Sequence, residues 1–127
     1  MKAYYYGVLP FVFLLCSCAL EGGVPGPAGG YVFYDKGEYS GGWRYLECAP
    51  EDNNYSFGGY EDWYLPSVKE LKWMRDNLYK KGMGNFKNGS YDVYLSSEEG
   101  SYVKFRDGDV TTYLYTYTRY TRTVRKF

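Results

Sequence analysis

Histidine is missing from this 127-residue chain, cysteine occurs three times, and fifteen acidic residues cancel fifteen basic ones. Each shortage excludes something. Without histidine the chain lacks the commonest general base and the commonest nitrogen ligand for metals. Zinc and copper sites then need paired thiolates, and the one close pair, Cys16 and Cys18, falls in an N-terminal segment expected to be processed. A nucleophilic thiol would lack its usual partner base. A net charge of zero denies the broad basic footprint of a nucleic-acid binder. The exception is a local one, Arg119, Arg122, Arg125 and Lys126 near the end, whose spacing reads as a solvated strand face. Long apolar runs are lacking too. The most apolar stretch, from Tyr4 to Leu15, is too short to span a bilayer comfortably.

That stretch has signal-peptide length and follows a single lysine, Lys2. It leads into Leu15-Cys16-Ser17-Cys18. A leucine three places before a cysteine, with a small residue just ahead of it, resembles the bacterial lipobox. Cys18 fits this pattern and Cys16 does not. Residues 1–17 are therefore expected to be a lipoprotein signal peptide, with Cys18 the lipidation site. The mature chain would be held on the cell envelope, facing outside the cytoplasm, since two or more acyl chains give stable anchoring. Cys48 is then the one thiol left and cannot form an intramolecular disulfide. It reads as a small buried hydrophobe.

Residues 18–29 read as a Gly/Pro-rich tether. Gly23, Gly26 and Gly29 keep a three-residue period, but so few triplets cannot hold a collagen triple helix. Residues 30–127 are long enough for one core. Strands are expected at Tyr31–Tyr34, Trp43–Cys48, Tyr91–Leu95, Tyr102–Phe105, Val110–Tyr117 and Tyr120–Phe127. Ala49 to Gly59 reads as a polar loop. One helix stands out, over about 67–81. Ser67 and Glu70 form a capping box after Pro66. Val68, Leu71, Met74 and Leu78 recur on one face, and Gly82 supplies the stop. One helix among several short strands predicts an α+β domain with antiparallel pairing.

Acidic residues offer little chemistry. Glu51, Asp52 and Asn53, with Glu98, Glu99, Asp107 and Asp109, are the oxygen ligands available for calcium. Turn and solvent roles account for them better. Glu61/Asp62 and Glu98/Glu99 are adjacent pairs, which on a strand point to opposite faces and make no catalytic dyad. No metal, no cofactor and no catalysis are expected.

Tyrosine is the excess. It occurs eighteen times, and beyond Tyr4–Tyr6 every copy follows Gly30. Tyrosine forms strands and half-buried core, and it also builds adaptable binding surfaces. If residues 110–117 form a regular strand, Tyr113, Tyr115, Tyr117 and Arg119 share one face. That face reads either as a ladder over the core or as a platform. Rings stack on sugar C–H faces, while arginine and phenol groups reach hydroxyls. The candidate platform is Tyr102, Tyr113, Tyr115, Tyr117, Arg119 and Tyr120. Trp43, Trp63 and Trp73 are assigned to the core.

Several blocks in order resemble the Lcl C-terminal domain family, a family of unknown function named for a collagen-like bacterial adhesin. Asp62-Trp63-Tyr64-Leu65-Pro66-Ser67-Val68-Lys69-Glu70-Leu71 resembles its central motif. Gly26–Gly37, Gly42–Pro50 and Asn77–Phe86 resemble flanking blocks. Tyr94–Glu98 does so with Leu95 in place of the usual tryptophan, and Arg122–Phe127 with Thr123 where proline is common. Phe105-Arg106-Asp107-Gly108 matches a turn. The resemblance implies a C-type-lectin-like fold: a twisted antiparallel sheet, terminal strands close together, and a loop-rich binding side. The Glu-Pro-Asn and Trp-Asn-Asp motifs of calcium-dependent lectins are missing. So are the cysteine pairs of the formylglycine-generating enzymes, which share a related fold. The function expected is adhesin-like binding of a glycan or matrix protein. The alternative is an assembly subunit of the envelope whose tyrosine face packs on another protein or on a second copy of the chain. Partners are then a glycan or matrix protein, the membrane through Cys18, and no nucleic acid.

Overall fold

The computed structural model describes residues 23–112 and 116–127. Along the chain the elements are β1 (Val24–Pro25), β2 (Tyr31–Ser40), β3 (Trp43–Cys48), α1 (Val68–Asn77), β4 (Asp92–Leu95), β5 (Tyr102–Val103), β6 (Val110–Thr111), β7 (Thr118–Tyr120) and β8 (Val124–Lys126). They form two four-stranded sheets. Sheet A has the order β1-β2-β3-β8 and sheet B the order β6-β5-β4-β7. All pairings are antiparallel except β4 with β7. The domain is α+β with one main helix.

The β2–β3 hairpin sets the frame. Gly41 and Gly42 both have positive φ, 61° and 88°, as a two-residue turn between right-twisted strands requires. Ser40 therefore pairs directly with Trp43. The strand runs on to Ser40, past the end expected at Tyr34. Further back, Val32 pairs with Glu47 but Tyr34 pairs with Leu46. One residue, Phe33, is extra. This bulge lets consecutive residues Phe33 and Tyr34 both serve the core side. Phe33 is buried there, and Tyr34 packs against the same cluster.

Helix α1 starts as its cap predicts. The Glu70 amide donates to Ser67 Oγ at 3.1 Å, and the Ser67 amide donates to Glu70 Oε1 at 2.9 Å. Its α-helical part stops at Asn77, and a 3-10 turn over Tyr79–Lys81 finishes the segment before left-handed Gly82. Leu71, Met74 and Leu78 enter the core. They meet Phe33 and Leu46 of sheet A and Tyr94, Val103 and Phe105 from the region of sheet B. The helix thus joins both sheets around one apolar centre. A smaller cluster of Ala28, Ala49 and Trp63, with Phe57 and Tyr60 against it, lies apart from this centre.

Three sequence expectations change. The run Val110–Tyr117 is not one strand: β6 ends at Thr111, and Tyr113 and Tyr115 lie outside the described residues. Tyr120–Phe127 is not one strand either, because Thr121–Thr123 breaks it and sends β7 and β8 to different sheets. The third change lies ahead of β2, where β1 joins the sheet that also holds β8. Within the segment read as tether, Val24–Pro25 pairs with β2 and Ala28 is buried.

Candidate ligand-binding site

The basic C-terminal residues sort into two kinds. Arg122 is 1% exposed and Arg125 6%, against the expectation of a solvated face. A buried guanidinium needs a carboxylate and further acceptors, or desolvation destabilises the fold. Both have them. Arg122 Nε donates to Asp52 Oδ1 at 2.9 Å and Nη1 donates to the Gly84 carbonyl at 2.8 Å, with the Ala49 carbonyl at 3.2 Å. The Phe86 ring stacks under it, 4.2 Å from Cζ. Arg125 forms a fork with Asp62 at 2.8 and 3.1 Å and lies 3.8 Å over the Tyr60 ring. Its Nη1 also reaches Glu47 at 3.4 Å. Hydrogen bonding to Arg125 holds the Asp62 carboxyl below its ordinary range.

Glu47 is fully buried and closes this arrangement. Its carboxylate accepts from the amides of Ala28 (3.1 Å) and Gly30 (2.7 Å). Gly30 sits so close to the Cys48 carbonyl that no Cβ fits. Asn53 completes the fastening: its side chain accepts from the Thr121 amide and its own amide donates to the Thr121 carbonyl.

Arg119 is the other kind. It is exposed, and no carboxylate among the described residues lies within ion-pair distance. In sheet B it pairs with Val93, and Tyr102 pairs with Leu95. Val93 and Leu95 share a face of β4, so Arg119 and Tyr102 point to the same side. Tyr120 pairs with Tyr94 and packs on it at 5.8 Å, against the core. Of the described members of the candidate platform, Tyr102 and Arg119 are thus brought to one face, and Tyr120 is turned from it. Tyr117, just before β7, contacts Tyr91 at 5.8 Å, and Lys104 Nζ sits 5.6 Å from its ring. Tyr91 is 61% exposed. Sequence reading missed Tyr91 and Lys104. Lys104 shares the two-residue period of Tyr102, a signal present in the sequence, whereas Tyr91 reaches Tyr117 only through the parallel β4–β7 pairing.

Three of the carboxylates weighed for chemistry, besides Asp62, have structural partners. Asp52 binds Arg122 and accepts from the Tyr94 hydroxyl at 2.9 Å. Glu98 accepts from the Val68 amide at 3.0 Å, and Asp107 from the Asp109 amide at 2.9 Å in the β5–β6 turn. Burial pushes the Cys48 thiol up to about 12, so it stays protonated at neutral pH. Burial also raises the Tyr94 phenol. Among the described residues no three acidic or thiol groups gather in a way that suits a metal ion.

Trp63 is buried, with its indole N–H on the Phe57 carbonyl at 2.9 Å. Trp43 and Trp73 are only half-buried. Beyond the end of α1 an open cleft of about 450 Å³ is lined by Tyr79, Lys80, Met83, Asn85, Phe86 and Asn88. No helix among the described residues is long and apolar enough to cross a membrane. Comparison with family models, curated proteins and solved structures finds no match.

Proposed function

We propose that this chain is an envelope-anchored, non-catalytic binding domain of C-type-lectin-like fold, related to the Lcl C-terminal domain family. Its ligand is a glycan or a matrix protein, and Cys18 carries the lipid anchor. What supports the binding role is the outer face of sheet B. There Tyr102 of β5 and Arg119 of β7 share a face, Tyr117 touches Tyr91 and Lys104 just outside the strands, and Arg119 is exposed with no carboxylate partner among the described residues. Rings exposed in whole or in part, beside an amine and a guanidinium, suit stacking on sugar faces and hydrogen bonding to hydroxyls. The engaged carboxylates and the protonated thiol argue against catalysis.

A second reading rests on the edge of sheet B. Strand β6 stands last in the order of sheet B and Val110 is 44% exposed there, an apolar side chain that contact with another protein would cover. In that reading the domain is an assembly subunit.

One experiment separates the two. Residues 22–127, which hold the whole described core, are presented to arrays of glycans and matrix proteins, with Tyr117→Ser/Arg119→Ala alongside. Saturable binding that the folded variant loses supports the binding role. A blank array, with a mass in solution above that of one chain, transfers the face to assembly.

A further inference from the structure

A second surface lies on the other sheet. The half-buried rings of Tyr34 and Trp73 stack in parallel, 3.8 Å apart and 7° from coplanar, and Trp43 follows 6.5 Å from Tyr34. Three lysines surround these rings. Lys36 lies 3.8 Å over Trp43, Lys126 lies 5.1 Å from the same indole, and Lys69 lies 5.5 Å from Trp73. None of the three has a carboxylate within ion-pair distance among the described residues. Asp35, beside Lys36 on β2, is held by Arg44 at 2.7 Å, and that hydrogen bond lowers its carboxyl. A chain with zero net charge thus gathers three uncompensated cations around two partly open indoles. Lys36 Nζ also donates to the Ser40 carbonyl at 2.6 Å, which holds its ammonium beside Trp43 without cancelling its charge.

The direction of β1 says what lies near. Val24 pairs with Val32 and Pro25 with Tyr31, antiparallel. Followed backwards, β1 therefore points along β2 toward Tyr34 and the Ser40–Trp43 end of the hairpin. The Gly23 amide donates to the Val32 carbonyl, two residues short of Tyr34. From Gly23 back to Cys18 the backbone spans at most roughly 18 Å. A lipid at Cys18 would hold the headgroup layer within that reach of Gly23, at the end of β1 that points along β2 toward Tyr34.

We infer that Tyr34, Trp43 and Trp73 with Lys36, Lys69 and Lys126 form a docking face for a membrane surface rich in anionic phospholipid. Tryptophan and tyrosine favour the headgroup level, where one edge is apolar and the other wet. Lysine stems lie along the apolar surface and carry their ammonium groups to phosphates. The half-buried rings leave the domain resting on the interface and not inserted. The inference draws on the lipid-anchor reading for its orientation, while the surface itself stands on ring and lysine geometry.

The test uses residues 22–127, which carry no lipid, and sediments them with vesicles of phosphatidylglycerol and phosphatidylcholine or of phosphatidylcholine alone. Binding to the anionic vesicles only, weakened by salt, is expected. Lys36→Ala/Lys69→Ala/Lys126→Ala should weaken it roughly a hundredfold, at about fivefold per lysine, with an unchanged circular dichroism spectrum. Brominated lipid should quench the wild-type tryptophan emission in part, since Trp63 is buried. Absence of vesicle binding at low salt, or equal binding by the folded triple variant, overturns the inference. Binding to a soluble acidic polymer but not to vesicles also overturns it and gives the face to a soluble partner. Fatty-acid labelling of the full chain, with Cys18→Ser as control, reads the anchor separately, so the two readings can fail independently.

Discussion

Arg119 and Arg122 are three residues apart in the same Tyr/Thr/Arg-rich stretch, yet one is exposed and the other is 1% exposed. Nothing in their immediate neighbours separates them. The difference lies across the fold. Arg122 faces Asp52, the Gly84 carbonyl and the Phe86 ring, and Arg125 faces Asp62, Glu47 and Tyr60. Arg119 sits over sheet B with Val93 beside it and no acid opposite. A charged side chain is drawn inside only where acceptors wait for it. The same residue type therefore fastens one sheet and leaves the other with a free cation.

Breaking the fastened side should have the largest effect. Arg122→Ala strands Asp52 in a poorly hydrated site and removes the packing on Phe86. Loss of one partner of a buried pair costs about 4 kcal/mol, so the variant should show a much lower urea midpoint, or no folded baseline. Glu47→Leu comes next. It leaves two amides and part of the Arg125 guanidinium without their acceptor, at roughly 3 kcal/mol, readable by the same titration.

Acid should act on this side too. Hydrogen bonds to Arg125 and to Arg44 lower the carboxyls of Asp62 and Asp35 in the folded state. A lowered folded-state value means the unfolded chain binds protons first. The stability these groups contribute is present above the unfolded carboxyl range, near about pH 4, and is lost as pH falls through the folded values. Midpoints measured against pH should drop below about pH 4 in the wild type, and the drop should be shallower in Asp62→Asn. An equal slope in the two proteins would remove Asp62 from the account. The smallest stability change belongs to the open side. Arg119→Ala should shift unfolding by less than about 0.5 kcal/mol, while weakening ligand binding about tenfold on a saturable target. If Arg119→Ala unfolds the domain, the contrast between the two arginines is lost.

The α+β class, the capping box and the Asp107–Gly108 turn were legible because each is decided by a few neighbouring residues. The Ser67–Glu70 box forms with both bonds in place. The burial of Arg122 and Arg125 was not legible, because their partners are dozens of residues away and a basic alternation looks alike on a wet or a dry face. The break at Thr121–Thr123 was hidden for the same reason: threonine and valine favour strands, and only the bonds of Thr121 to Asn53 and of Thr123 to the Asn54 carbonyl pull the chain out of sheet B. At the candidate site, Tyr102 and Arg119 reached one face, whereas Tyr120 followed Tyr94 into the core because β4 and β7 run parallel. The exposure of Trp43 and Trp73 was missed since large aromatics are assigned to cores by default. The bulge at Phe33 explains the half-exposed stack, as it adds Tyr34 to a side already filled by Phe33.

The carboxylate of Glu47 ties Ala28 and Gly30 to Arg125, which follows it 78 residues later. Such a joint is a matter of timing as well as strength. While the ribosome is still making the chain, residues 26–48 can meet as a hairpin, but the carboxylate that should hold them has no counter-charge until β8 emerges. The domain is thus slow to lock by its own wiring, since contacts distant in sequence form late. Shortening the chain before Arg125 should leave a collapsed product that proteases degrade quickly.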